Sequence, residues 1–203
     1  MEMISWTRPP ELLRKIYSSS LWKCWLNQDV LLSFDDGPGP NTKSLLDLSL
    51  EYGIKFAFFI LPEQAQKYPE IVRRIVKDGH ILGSHFSQHR LHIMDTKTTF
   101  LNSLNKSVEK IEKISQTTIQ YSRVPYGRLL PWQDGWINQV GYTHVFWSLD
   151  SKDYNLEPSE KVINRVQDNI QSDDIVLFHD GESAHPQIVQ IVEECLKSLN
   201  LEL

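Results

Sequence analysis

Short apolar runs alternate with amphipathic stretches along most of the chain. The apolar runs are continuous rather than alternating in polarity, which is typical of strands that are buried on both faces of a sheet. Six runs predict six strands: DVLLSF (29–34), KFAFFIL (55–61), HILGS (80–84), IQYSR (119–123), THVFWSL (143–149) and DIVLF (174–178).

The stretches between these runs carry apolar residues three or four positions apart, the spacing of one face of a helix. The clearest stripes are Phe100, Leu104, Val108 and Ile111; Val162, Val166 and Ile170; and Ile188, Val192, Cys195 and Leu199. Repetition of strand and helix predicts a mainly parallel sheet with right-handed crossovers, either open and doubly wound or closed as a barrel. Residues 1–28 are interpreted as an N-terminal helical extension and residues 29–203 as a single domain.

Composition and charge indicate which classes of protein this sequence can belong to. A chain of 203 residues is long enough for one domain with a sizeable core. The net charge of −5, without a cluster of Lys and Arg, argues against nucleic acid as a partner. No apolar run is long enough for a membrane span, and residues 1–28 contain no run typical of a signal peptide. We therefore expect a cytoplasmic protein.

Polar side chains follow five of the six predicted strands, at the point where each strand ends. Both fold alternatives place their chemistry at the carboxyl ends of parallel strands. The polar segments are Asp35-Asp36, HFSQH (85–89), RVPYG (123–127), DSKDY (150–154) and HDG (179–181). Because scattered polar residues would not recur so regularly, the pattern predicts one active site at this edge.

Two histidines in the second polar segment suggest a metal site. His85 and His89 are four residues apart, which predicts that both imidazoles lie on one face of a helical turn and share a metal. Two imidazoles and one carboxylate from Asp35-Asp36 would leave positions open for water and substrate. A divalent cation would also neutralise the repulsion between the adjacent carboxylates, and only one of them needs to be a ligand.

Five segments, in this order, resemble the five motifs of the NodB-homology polysaccharide deacetylases, carbohydrate esterase family four. They are SFDDGP, HFSQH, RVPYG, DSKDY and LFH, and the resemblance extends from about residue 30 to the C-terminus. It implies that residues 29–203 form a NodB-homology domain, a distorted and incomplete (β/α) barrel of about seven strands. Ser33 stands where the family usually has Thr, and Tyr154 stands where it commonly has Trp.

The resemblance implies a role for residues of the first three motifs. Asp36, His85 and His89 would hold one divalent metal ion, most often zinc, with cobalt, nickel or iron as alternatives. Asp35 would be the general base, and the adjacent Arg123 would keep it ionised.

The remaining implied roles concern the oxyanion, the leaving group and the acetyl pocket. The backbone N–H of Tyr126 would stabilise the oxyanion, and His179, oriented by Asp153, would protonate the leaving amine. The residues expected to contact substrate are Leu177, Tyr154 and Pro125.

The implied function is metal-dependent removal of acetyl groups, mainly N-acetyl, from a sugar or oligosaccharide. Three alternatives stay open: a related C–N hydrolase acting on a small amide or cyclic ureide, a non-catalytic carbohydrate-binding member, and a non-haem iron oxygenase with a two-histidine, one-carboxylate triad. Such oxygenases usually have an all-β jelly roll, which the alternating pattern does not favour. Glycan length and oligomeric state are left open.

Several other histidines and tryptophans lie near the predicted site. His92 and His185 fall in loops and are weaker candidates for contact with substrate, and either Trp132 or Trp136 could line the groove. His80 and His144 fall in predicted strands and are interpreted as structural or surface residues.

Overall fold

Seven parallel strands form the centre of the protein. The structure, a computed structural model, describes residues 6–199, so the first five residues of the predicted extension and the last four of the predicted domain lie outside it. The sheet order is β5-β4-β3-β2-β1-β7-β6. The strands are β1 (Leu31–Asp35), β2 (Ala57–Ile60), β3 (Ile81–Ser84), β4 (Tyr121–Ser122), β5 (Thr143–His144), β6 (Leu149–Asp150) and β7 (Ile175–His179).

Helices connect the strands and cover one face of the sheet. The described helices are α1 (Glu11–Ile16), α2 (Thr42–Glu51), α3 (Pro62–Lys67), α4 (Pro69–Lys77), α5 (Lys97–Ser115), α6 (Pro131–Gln139), α7 (Ser159–Asn169) and α8 (Ile188–Ser198). Proline stands at the start of α3, α4 and α6, where its missing N–H leaves no helical bond unmade. The predicted stripes are buried on α5, α7 and α8, except that Ile170 and Leu199 lie just past the ends of α7 and α8 and are partly buried against the core. None of the helices between residues 6 and 199 combines the length and apolar character needed to cross a membrane.

The strand predicted at 143–149 is wrong, because this segment forms two short strands at opposite edges of the sheet. β5 pairs with β4 and β6 pairs with β7. In a flat sheet of seven strands the two edges would be about 29 Å apart. The five peptide steps from His144 to Leu149 span at most about 18 Å. The sheet must therefore curl until its edges approach, which makes it an incomplete barrel and excludes the open doubly wound alternative.

The N-terminal segment lies along the gap between the two edges. Leu21 forms a parallel bridge with Val145, donating its N–H to the His144 carbonyl (2.9 Å) and accepting from Phe146 N–H (2.9 Å). The N–H of Asp150, on the other edge, donates to the Thr7 carbonyl (2.8 Å). The described part of the predicted extension is thus built into the barrel wall, and its helix is confined to α1. The division at residue 28 stays a prediction.

Strand parity separates an apolar outer layer from an interior that is apolar at one end and polar at the other. On β1, Leu32 and Phe34 pack with the helices, whereas Leu31 belongs to a smaller cluster inside the barrel. Ser33 and Asp35 follow Leu31 on that inner face, because alternate residues of a strand share a face. In register, Asp35 lies beside His179 on β7. The interior therefore changes from apolar to ionisable toward the carboxyl ends of the strands.

Candidate active site

The five polar segments converge at the carboxyl ends of the strands, as predicted. Asp35 and His179 end adjacent strands in register, and the N–H of His85, just after β3, donates to the Ile60 carbonyl of β2 (2.9 Å). Arg123 directly follows β4, and Asp153 follows β6. Residues distant in sequence thus share one edge, because all these strands are parallel.

Asp36, His85 and His89 form a compact set of possible metal ligands. Asp36 Oδ1 lies 3.4 Å from His85 Nε2 and 3.3 Å from His89 Nε2, and the three ligand atoms all lie within 4.8 Å of one another. Asp36 Oδ1 is buried and has no hydrogen-bond partner. Burial lowers the pKa of His85 to about 3, so its imidazole is neutral, as a ligand requires. These residues fit a divalent cation.

The two histidines meet in a loop, so the predicted helical turn is wrong. Residues 87–90 form bends, and Phe86 before them has a left-handed backbone (φ 63°). Phe86 is buried and packs edge-on against Phe100 of α5 (centroids 5.0 Å apart), which turns the chain back toward the site. The His85 and His89 rings then stack at 5.4 Å. A spacing of four satisfies a helical turn and a tight loop equally well.

A buried ion pair joins Asp35 to Arg123. Arg123 Nη1 donates to Asp35 Oδ1 (2.8 Å) and to Ser33 Oγ (3.0 Å), and the guanidinium lies 4.0 Å above the Phe59 ring. The Ser33 hydroxyl thus supports Arg123 at the position where the family resemblance leads one to expect Thr. Burial raises the pKa of Asp35, and Arg123 opposes that shift. The result is a carboxylate with increased proton affinity, suited to a base.

His179 is held by Asp153 through two contacts. Its Nδ1 lies 2.9 Å from Asp153 Oδ1, and its backbone N–H donates to Asp153 Oδ2 (2.8 Å). Burial lowers the pKa of His179, but the Asp153 carboxylate overcomes this and raises it to about 10. Since Nδ1 is engaged, Nε2 is the nitrogen left to exchange a proton with a substrate.

The predicted substrate-contacting residues surround these groups. Tyr154 meets the His179 ring edge-on (centroids 5.4 Å apart) and donates its hydroxyl to Asp150 (3.0 Å). The half-exposed Tyr126 ring lies 4.4 Å from the His89 ring. Pro125 and Leu177 are buried, and Leu177 lies in register beside Ser33 on the inner face.

Left-handed residues other than glycine occur in four of the site loops. Each costs about 1–2 kcal/mol relative to ordinary backbone, and such residues collect at functional sites. Residue type gives a hint only for Asp36, because Asp and Asn are the side-chain residues that adopt this backbone most readily. The left-handed residues are Asp36 (φ 71°), Phe86 (φ 63°), Tyr126 (φ 62°), Lys152 (φ 57°) and Leu156 (φ 53°).

Asp180 is fully buried beside the first motif, and the sequence did not indicate a role for it. Its Oδ2 accepts from Thr42 Oγ1 (2.6 Å), and its Oδ1 has no hydrogen-bond partner. A Cβ on Gly37 would come within 2.1 Å of this carboxylate, so only glycine fits there. Burial raises the pKa of Asp180 to about 7. The only signal was the HDG segment, which resembles an ordinary turn.

The weaker candidates separate into buried and exposed residues. His92 is buried and hydrogen-bonds to Asp95 (2.7 Å), and His185 is buried and donates to a loop carbonyl (2.8 Å). Trp136 packs against the α5 helix, whereas Trp132 is 59% exposed. Of these four, Trp132 is the one that solvent reaches freely.

The sequence matches a known family and several characterised proteins. A family model described as polysaccharide deacetylase matches residues 25–145. A peptidoglycan-N-acetylglucosamine deacetylase of Bacillus cereus is 31% identical over 160 residues, which cover 78% of this chain and 58% of that protein. A chitooligosaccharide deacetylase of Azorhizobium caulinodans is 30% identical over 155 residues, 75% of this chain and 73% of the relative. The chain therefore spans less than two thirds of the first relative.

The fold also matches solved structures. A crystal structure of a peptidoglycan N-acetylglucosamine deacetylase, in complex with 4-naphthalen-1-yl-N-oxidanyl-benzamide, superposes with a TM-score of 0.85 at 27% identity. The match covers 94% of this chain and 90% of that chain. The distorted, incomplete barrel expected from the motifs is thereby confirmed.

Proposed function

This chain belongs to the polysaccharide deacetylase family, and from that premise we propose that it removes acetyl groups, mainly N-acetyl, from a sugar or oligosaccharide. The observation that carries the proposal is the meeting of two opposed acid–base pairs beside one ligand set. Asp35 is paired with Arg123, and His179 is paired with Asp153. Amide hydrolysis needs both a proton acceptor for water and a proton donor for the leaving nitrogen.

Asp36, His85 and His89 would hold a divalent cation, with zinc the first candidate. Their two imidazole nitrogens and one carboxylate oxygen suit zinc and leave coordination positions open. When bound, the cation would polarise the acetyl carbonyl and lower the pKa of water.

Asp35 is proposed as the general base. Its Oδ1 is held by Arg123, whereas its Oδ2 lies 3.9 Å from His85 Nε2, on the side of the ligand set. Oδ2 is thus the oxygen that accepts a proton from the attacking water. Arg123 keeps the carboxylate oriented during this transfer.

His179 is proposed as the general acid. With Nδ1 fixed on Asp153, Nε2 delivers its proton to the departing nitrogen. A pKa raised to about 10 keeps the imidazole charged at neutral pH, although the positive charge of a bound cation would lower that value. An amine leaves readily only when protonated, which is why this donor favours N-acetyl substrates.

The acetyl group is proposed to lie between the third, fourth and fifth motifs. Tyr126 N–H would donate to the developing oxyanion, and Leu177, Tyr154 and Pro125 would enclose the methyl group. Preorganised donors of this kind account for a large share of rate acceleration in acyl transfer.

The test is acetate release from acetylated monosaccharides, oligosaccharides and small amides, with zinc, with cobalt and with a chelator. We expect release from N-acetylated sugars that depends on the metal. Turnover of small amides or cyclic ureides alone would favour the related C–N hydrolase, which could use the same acid and base. Metal binding without any turnover would favour a non-catalytic carbohydrate-binding protein. The parallel barrel already argues against the jelly-roll oxygenase.

A further inference from the structure

A network of hydrogen bonds between buried polar groups lies behind the loop from Arg123 to Gly127. His144 Nε2 accepts from the N–H of Val124 (3.1 Å), and His144 Nδ1 lies 3.2 Å from Ser20 Oγ. Ser20 Oγ donates to Asp134 Oδ1 (2.8 Å). All three side chains are at least nine-tenths buried. None of them belongs to the motifs or to the proposed reacting groups.

The direction of every hydrogen bond in this network is determined by its first donor, the N–H of Val124. A backbone N–H can only donate, so His144 Nε2 must be unprotonated. Nδ1 therefore carries the hydrogen and donates to Ser20, whose own proton goes to Asp134. The second oxygen of Asp134 accepts from the Ser19 hydroxyl. The network thus ends at the Asp134 carboxylate, which accepts from two serines of the N-terminal segment, Ser19 and Ser20.

The same N-terminal segment also supports the side chain of Arg123. Leu21, next to Ser20, accepts from Phe146 N–H (2.9 Å) and donates to the His144 carbonyl (2.9 Å). The carbonyls of Val145 and Phe146 accept from Arg123 Nε (3.0 Å) and Nη2 (3.1 Å). Residues 20 and 21 therefore hold both the peptide that follows Arg123 and the carbonyls that orient its guanidinium.

We propose that Ser20, His144 and Asp134 are positioning residues, which hold Arg123 and the Tyr126 N–H in place for the reaction; this rests on the proposed deacetylase function. The loop needs such support because Tyr126 has a left-handed backbone (φ 62°), which is strained for a residue other than glycine. Strained backbone persists only where its surroundings hold it. A fixed Val124 peptide anchors that loop two residues before Tyr126.

The protein contains a matched arrangement far from the strand ends that carry the site. His80 Nδ1 accepts from Phe56 N–H (3.1 Å), and His80 Nε2 lies 3.1 Å from Ser49 Oγ. His80 and Ser49 are buried like their counterparts, but Phe56 and His80 precede strands β2 and β3 rather than follow them. Ser49→Ala therefore removes a similar buried hydrogen bond without touching the loop.

The experiment compares Ser20→Ala with Ser49→Ala in the metal-loaded protein. We expect both to lower the unfolding temperature, but only Ser20→Ala to lower kcat, by about tenfold, with a smaller change in KM. Hydrogen exchange at the Val124 amide should accelerate in Ser20→Ala and stay unchanged in Ser49→Ala. Equal loss of kcat in both variants, or unchanged kcat in Ser20→Ala, would overturn the proposal.

A second pair of variants separates the two hydrogen bonds of His144. Glutamine can present an oxygen near the position of Nε2, whereas asparagine can present its NH₂ near Nδ1 and leaves the Val124 N–H unpaired. His144→Gln should therefore keep more of kcat than His144→Asn, and the opposite order would contradict the proposal. If the wild-type protein releases no acetate, the deacetylase function fails. Unchanged Val124 exchange in Ser20→Ala would instead refute the positioning role alone.

Discussion

The loops at the two ends of the barrel contain left-handed residues of different kinds. Among the described residues, five such positions lie where helices lead into strands, and three of them are glycines: Gly53 (φ 62°), Gly79 (φ 76°) and Gly141 (φ 87°), alongside Gln116 and Asp173. Where strands lead into the site loops, Gly127 is the one glycine among six described positions, and the other five are Asp36, Phe86, Tyr126, Lys152 and Leu156. Glycine adopts this backbone without strain, so it suits positions that only turn the chain. The site loops retain strain because their side chains or neighbouring residues are needed there.

Buried carboxylates differ between the two ends in the same sense. Asp174, at the entrance to β7, accepts from Arg8, from Ser148 Oγ (2.6 Å) and from Gln171 N–H (2.8 Å). Asp36 and Asp180, at the opposite end, each leave one buried oxygen without a hydrogen-bond partner. Its hydrogen bonds hold Asp174 in place, whereas an unpaired buried oxygen, as in Asp36 and Asp180, is available to a ligand.

The largest expected effect comes from Asp35→Asn. This substitution keeps the size of the side chain but removes the proton acceptor, so turnover should fall by about 10²–10⁴-fold. Zinc affinity, measured by competition with a chromophoric chelator, should be retained. Asp174→Asn is the control, which should lower the unfolding temperature and leave kcat unchanged. Loss of zinc together with activity in Asp35→Asn would mean that Asp35 is a ligand.

The second largest effect is expected in His89→Ala, which should lower the affinity for the metal. Removal of residues that only orient metal ligands commonly costs 10–100-fold in affinity, so loss of a ligand should cost more than about 100-fold. His80→Ala, at the other end of the barrel, should retain the wild-type affinity in every molecule that folds. Elemental analysis after dialysis measures both. Full zinc occupancy in His89→Ala would remove this residue from the ligand set.

A smaller effect is expected on the pH dependence in Asp153→Asn. The general acid must be protonated, so activity is lost as pH rises through the pKa of His179, which Asp153 raises. Without that carboxylate the alkaline limb of kcat/KM should move down by about one to three pH units. The limb describes the whole site, because His179 is coupled to Asp35 and to the cation. If the alkaline limb does not move in Asp153→Asn, it reports the ionisation of a group other than His179.

The smallest effect concerns the glycines at the opposite end. Gly53→Ala should lower the free energy of unfolding by about 1 kcal/mol, because a Cβ is disfavoured at φ 62° even with open space around it. Gly135→Ala, inside α6 and equally open, should raise it by about 0.5–1 kcal/mol. Neither change should alter turnover. A stabilising Gly53→Ala in urea denaturation would break the contrast between the two ends.

The local spacing of apolar residues was sufficient to predict most helices and strands of the fold. Periodicity located the helical stripes of α5, α7 and α8 and five of the six predicted strands, because burial imposes regular spacing on apolar residues. The motifs likewise located the residues that meet at the strand ends, since parallel strands present their carboxyl ends together. The roles of these residues stay proposals.

Contacts between distant residues decided what the pattern could not. The run from 143 to 149 contains no turn residue such as Gly or Pro, yet it divides where the Val145 and Phe146 carbonyls accept from Arg123 instead of from a neighbouring strand. The His85–His89 loop, the unpaired Oδ1 of Asp180 and the Ser20–His144 contact are likewise not indicated by the sequence. Amino-acid order determines which residues must be buried, but only the curled, incomplete barrel determines which polar groups are buried together.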